Sequence, residues 1–67
     1  MTAAQFTGLD EREATAILGL RFSQLVGAGF ELDDAAVVAA HVEIDLHAAT
    51  SLVARGCPSV IAVRILL

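Results

Sequence analysis

Two stretches of this 67-residue chain line up at an offset of 27: residues 23–40, SQLVGAGFELDDAAVVAA, and residues 50–67, TSLVARGCPSVIAVRILL. Leu25 matches Leu52, Val26 matches Val53, Gly29 matches Gly56 and Ala35 matches Ala62; Ser23 with Thr50, Phe30 with Cys57 and Val38 with Ile65 are similar in kind. Each stretch reads as the end of an apolar helix, a glycine break, and a second helix with a small residue where two helices can approach closely. Glycine takes the left-handed conformation that ends a helix without steric penalty. The chain is therefore expected to be all-α, a small four-helix domain organised as two stacked helical hairpins. Two such units are fewer than the three or more that a solenoid needs.

Working outward, residues 1–9 mix small and polar side chains and are expected to form a loose lead-in, leaving residues 10–67 as one domain. Asp10, with Glu13 three positions on, carries the capping-box pattern of a helix start. Ala14, Ile17, Leu18, Arg21, Phe22, Leu25 and Val26 then follow the three-and-four spacing of one helix face. Arg21 alone breaks that stripe, with an aliphatic stem long enough to lie along apolar surface. The glycines at 27 and 29 are expected to stop this helix. A second helix is expected from Asp34 to about His41, capped by Asp33, and a third from Asp45 to about Ala54, stopped by Gly56. Pro58 suits the first position of a fourth helix, where its missing N–H costs nothing. Val60 to Leu67 place apolar residues on nearly every face of that helix, and a helix apolar all round has to be buried.

At Leu25, Ala28-Gly29-Phe30, Ala35, Ala48 and Leu52 the chain resembles a ubiquitin-associated (UBA-like) three-helix domain. Gly27-Ala28-Gly29 is also similar to the related N-terminal domain of elongation factor Ts. The resemblance spans roughly residues 14–56. It implies a UBA-like three-helix core plus an extra apolar C-terminal helix, and a binding patch made of Ala28, Gly29, Phe30, Leu52 and Val53. Ala28 stands where the family carries Met, and the fourth helix is additional to the family's three.

Charge excludes several functions. The formal charge is −4, with eight carboxylates against four Arg and no Lys. Nucleic-acid binding needs clustered cations to neutralise phosphates, so a helix-turn-helix regulator is disfavoured, as is an anionic membrane surface. The longest uncharged stretches, such as 22–30 and 46–54, are half of what a membrane-spanning helix requires. No cationic segment followed by an apolar run marks a signal peptide, and one cysteine, Cys57, builds no internal disulfide; the cytosol is the expected compartment. The absence of Lys, Asn, Trp and Tyr beside abundant Ala, Val and Leu suggests a bacterial, high-GC origin.

Chemistry-bearing residues are sparse. His41, Glu43, Asp45 and His47 alternate, but the two histidines lie six apart across a turn rather than four apart on a helix, so they read as a solvated turn and no metal is expected. Cys57 has no evident base or cleft, and no phosphate-binding glycine loop is present. Neither an enzyme nor a cofactor is expected. The bulk hydrophobicity (57% apolar) points instead to an interaction module that buries its C-terminal helix in a homodimer, through Ile61, Ile65, Leu66 and Leu67. The alternative is an adaptor subunit docking on a larger protein through the same helix.

Overall fold

The computed structural model describes all residues from Met1 to Leu67. It contains five helices and no strand: α1 (Ala3–Thr7), α2 (Glu11–Ala28), α3 (Leu32–Ala40), α4 (Leu46–Ala54) and α5 (Ser59–Leu66). α2 packs against α3 and α4, and α5 packs against the same two helices. The core forms where these four meet. Leu25 and Val38 are its largest fully enclosed side chains, joined by Phe30, Ile44 and the alanines 35, 39, 49 and 62. Alanine at those positions lets short helices approach closely enough to exclude water.

The lead-in is helical rather than loose. Thr2 caps α1 through a complete capping box, its Oγ1 accepting from the Gln5 N–H at 3.1 Å while Gln5 Oε1 accepts from the Thr2 N–H at 2.9 Å. The Thr-x-x-Gln spacing carried that signal. α1 nevertheless buries nothing. At Asp10 only half of the expected box forms, with Oδ1 accepting from the Glu13 N–H at 2.8 Å. The buried residues of α2, Arg21 and Leu25, lie in its second half. The molecule is 36 Å long, against 18 and 17 Å across.

Several helix ends move from their expected places. α2 runs on through Gly27, and Gly29, at φ 118°, stops it. α3 begins after Glu31, two positions before the expected start, so Asp33 and Asp34 fall in its first turn and favour its positive end without capping it. Pro58 is the residue before α5, with ψ 144°, and Ser59 takes the first helical position. The 41–47 segment is not wholly solvated: Val42 and Ile44 are buried while Glu43, Asp45 and His47 point outward.

The two glycine stops are built alike. Phe30 N–H donates to Leu25 O at 3.0 Å and Gly29 N–H to Val26 O at 3.1 Å; 27 positions on, Cys57 N–H donates to Leu52 O at 3.1 Å and Gly56 N–H to Val53 O at 2.9 Å. Gly56 has φ 95°. Both are the paired bonds of a left-handed glycine cap, which satisfy the last carbonyls of a helix.

α3 has no such stop. It ends at His41 with φ −90°, and no glycine follows. Its terminal carbonyls are met from outside by Arg21. The guanidinium donates through Nε to Ala39 O at 3.0 Å and through Nη2 to Val38 O, His41 O and Ile44 O at 3.2, 2.9 and 3.1 Å. The side chain is only 7% exposed. The head is buried rather than solvated, as a clamp on the end of α3 and the following turn. Its planar fork of donors suits several carbonyls at once, and a cation is favoured at a helix C-terminus. Burial pulls the guanidinium below its ordinary pKa, and the charges of Glu43 and Asp45 act the other way.

Candidate interaction surface

The second polar contact of the interior ties α3 to α5. Ser59 Oγ donates to Asp34 Oδ2 at 2.7 Å and accepts from the Glu31 N–H at 3.3 Å. This sets the N-termini of the two helices side by side and fixes the rotation of α5. Ser59 and Ala62 face inward, and Val63 and Leu66 pack partly against the core. The rotation leaves Val60 (56% exposed), Ile61 (48%) and Ile65 (60%) facing outward, with the exposed Arg64 between them and Leu67 beyond. The residues at 60, 61, 64 and 65 share one face at helical spacing. Such a row of branched apolar side chains is a ridge with nothing of this chain against it.

The expected contact residues therefore separate. Ile61 and Ile65 lie on the ridge and Leu67 is exposed just beyond it, whereas Leu66 turns toward the core. Val60 joins the ridge although sequence reading did not single it out; an all-apolar helix gives no hint of its own rotation. At the Gly-Phe turn, Phe30 is 3% exposed and belongs to the core. Ala28, Leu52 and Val53 are half-buried, and a Cβ at Gly29 would stand 3.0 Å from Val53 Cγ1. That turn is thus packed against the end of α4, and it offers a partner only its rim.

A shallow groove of about 390 Å³ runs between α2 and α3. Thr15, Leu18, Gly19 and Phe22 form one wall and Ala36 and Ala40 the other. Spacing of three and four along α2 aligns that wall, and Gly19 leaves its middle open, with nothing within 4 Å of a Cβ placed there. A broader depression of about 720 Å³ lies at the start of α2 beside Asp10, Glu11 and Arg12, and it shares Thr15 with the groove.

Of the alternating polar residues, His41 and Asp45 are occupied locally. His41 Nδ1 lies 2.8 Å from Val37 O, and Asp45 caps α4 by accepting from the His47 and Ala48 N–H groups, both at 3.3 Å. No three His, Cys, Asp or Glu side chains come together in a way that could hold a metal ion. Cys57 is a half-buried free thiol whose Sγ lies 3.5 Å from Pro58 O. No helix is long and apolar enough to cross a membrane. Compared with known proteins, the chain matches no family model, no curated protein and no solved structure, so its own geometry carries the functional reading.

Proposed function

We propose that this chain is a small, non-enzymatic interaction module that self-associates through the outward face of α5. The observation that carries the reading is the ridge of Val60, Ile61 and Ile65, about half exposed or more on a helix whose other side is anchored by Ser59 and Ala62. Large apolar side chains grouped on one exposed face are the mark of an association surface rather than of scattered surface residues. A domain of this size gains stability by oligomerising, because one small core supplies only about 3–5 kcal/mol. The free thiol of Cys57 suits a reducing compartment, which supports a cytosolic setting.

Light scattering across a size-exclusion peak tests this over a tenfold concentration range. The expected mass is at least twice 7.0 kDa, falling to the single-chain value in Ile65→Asp, which places an unpaired charge in the interface. A wild-type mass of one chain at every concentration rejects self-association and leaves the same ridge to an adaptor role on a larger protein.

A further inference from the structure

We propose that the occupant of the α2–α3 groove is α5 of a second copy, docked antiparallel to α2, so that the self-association surface is a ridge meeting a groove rather than two ridges meeting each other. The inference rests on the reading of α5 as an association surface and specifies what it meets.

Shape is the first argument. The ridge presents Val60, Ile61 and Ile65, branched and protruding, whereas the groove is lined by Gly19, Ala36 and Ala40 between the larger Leu18 and Phe22. Large against small lets the protruding side chains of one helix seat between two others, as ridges pack into grooves. Length agrees as well. The eight residues of α5 and the eight from Thr15 to Phe22 along α2 each rise about 12 Å.

Charge sets the direction. Arg64 is the only charged residue of α5. At the Thr15 end the groove opens onto Asp10 and Glu11, which outweigh Arg12. With Val60 and Ile61 at the Phe22 end, Arg64 arrives at the Thr15 end and reaches those carboxylates. In a chain of net charge −4, this is a contact at which two copies attract.

Area favours the arrangement too. A stable interface covers about 800 Å² of each partner, roughly a fifth of this chain's 4297 Å². A 12 Å helix pressed against its own copy covers far less than that. A groove lined by two helices wraps the ridge on both sides, and each copy carries one ridge and one groove.

A ridge-and-groove contact has a diagnostic that a ridge-and-ridge contact lacks: two differently damaged copies complement each other. Gly19→Leu fills the groove and leaves α5 intact; Ile65→Asp spoils the ridge and leaves the groove intact. Each variant alone is expected to run at the mass of one chain, with the far-ultraviolet circular dichroism of the wild type. Mixed, they are expected to form a one-to-one complex through the single undamaged pair. Ala36→Leu, at an exposed position on the opposite wall, plugs the groove independently should Gly19→Leu disturb α2. If both plugged variants keep the wild-type mass while Ile65→Asp is a single chain, self-association through α5 stands and the groove is overturned as its occupant's site. A mixture that stays at the mass of one chain overturns it equally. A wild type that is itself a single chain removes both this inference and the self-association on which it rests.

Discussion

Residues 23–40 and 50–67 share their spacing, their glycine stops and the hydrogen bonds of those stops, yet they end in different surroundings. Val38, late in α3, is fully enclosed; Ile65, its counterpart in α5, is 60% exposed. Leu25 is buried and Leu52 only half-buried. The cap is a local device, set by a few residues and by the conformational freedom of glycine, so similar sequence builds it twice. Burial is not local. Val38 is enclosed because it belongs to the buried cluster with Leu25, Phe30 and Ile44, at the end of α3 that Arg21 clamps. At the position 27 residues after Arg21 stands Ala48, which is exposed and clamps nothing.

Removing the clamp should break this contrast most severely. Arg21→Ala deletes four hydrogen bonds from a cation and strips the Ala39 and Ile44 carbonyls of that donor, while Val38 O and His41 O keep the N–H groups of His41 and Ile44; charged hydrogen bonds contribute about 1.5–3 kcal/mol each, though not additively. A loss of more than about 3 kcal/mol is expected, enough to unfold much of a domain this small at room temperature. Urea denaturation followed by circular dichroism would read it. Arg21→Lys should recover only part, since an ammonium cannot fork across the Val38, Ala39, His41 and Ile44 carbonyls.

The two glycine stops should then prove unequal despite their matching bonds. Alanine at either position meets the left-handed penalty of about 1–2 kcal/mol. At Gly29 the added Cβ also presses on Val53 Cγ1 at 3.0 Å, whereas Gly56 has open space. Gly29→Ala is expected to cost about 1 kcal/mol more than Gly56→Ala, with Val53→Ala relieving the excess in a double-mutant cycle.

Side-chain truncation sharpens the burial contrast itself. Val38→Ala should cost about 2 kcal/mol, combining lost methyl burial with the cavity left behind. Ile65→Ala should change the stability of the single chain by less than about 0.5 kcal/mol, so its effect should appear in the mass measurement alone. Between these, Ser59→Ala removes the donor to Asp34 and should cost about 1 kcal/mol by thermal unfolding. Because that bond sets the rotation of α5, it should also weaken self-association.

Legibility followed the same division between local and non-local. All-helical character, the α2 stripe, the Asp10 and Asp45 caps and the glycine stops were readable because each depends on residues within one turn of one another. The start of α3 is not legible in the sequence, because Asp33 and Asp34, both good capping residues, lie inside the first turn, while Glu31 precedes the helix without a side-chain cap. α1 is bland in composition, and only Thr2 and Gln5, at capping-box spacing, mark it. Of the proposed interface, the choice of α5 came from its composition, whereas the choice of Val60 over Leu66 came from packing. The groove could not be read from the chain, because its walls at Gly19 and Ala36 belong to different helices and neither residue carries a chemical signal by itself.

What the sequence determined alone is a set of helices with their polarity of charge and most of their stops. Backbone sterics, hydrogen-bond closure within a turn and periodicity act over a few residues. What only the tertiary structure decided is where each helix faces. Arg21 could have been a solvated cation on a helix surface; it became the end-cap of α3 because four carbonyls with no glycine stop of their own converge on it from 17 to 23 residues away. α5 was apolar on nearly every side, and one hydrogen bond from Ser59 to Asp34, with Ala62 set into the core, selected which of those sides is left for a partner.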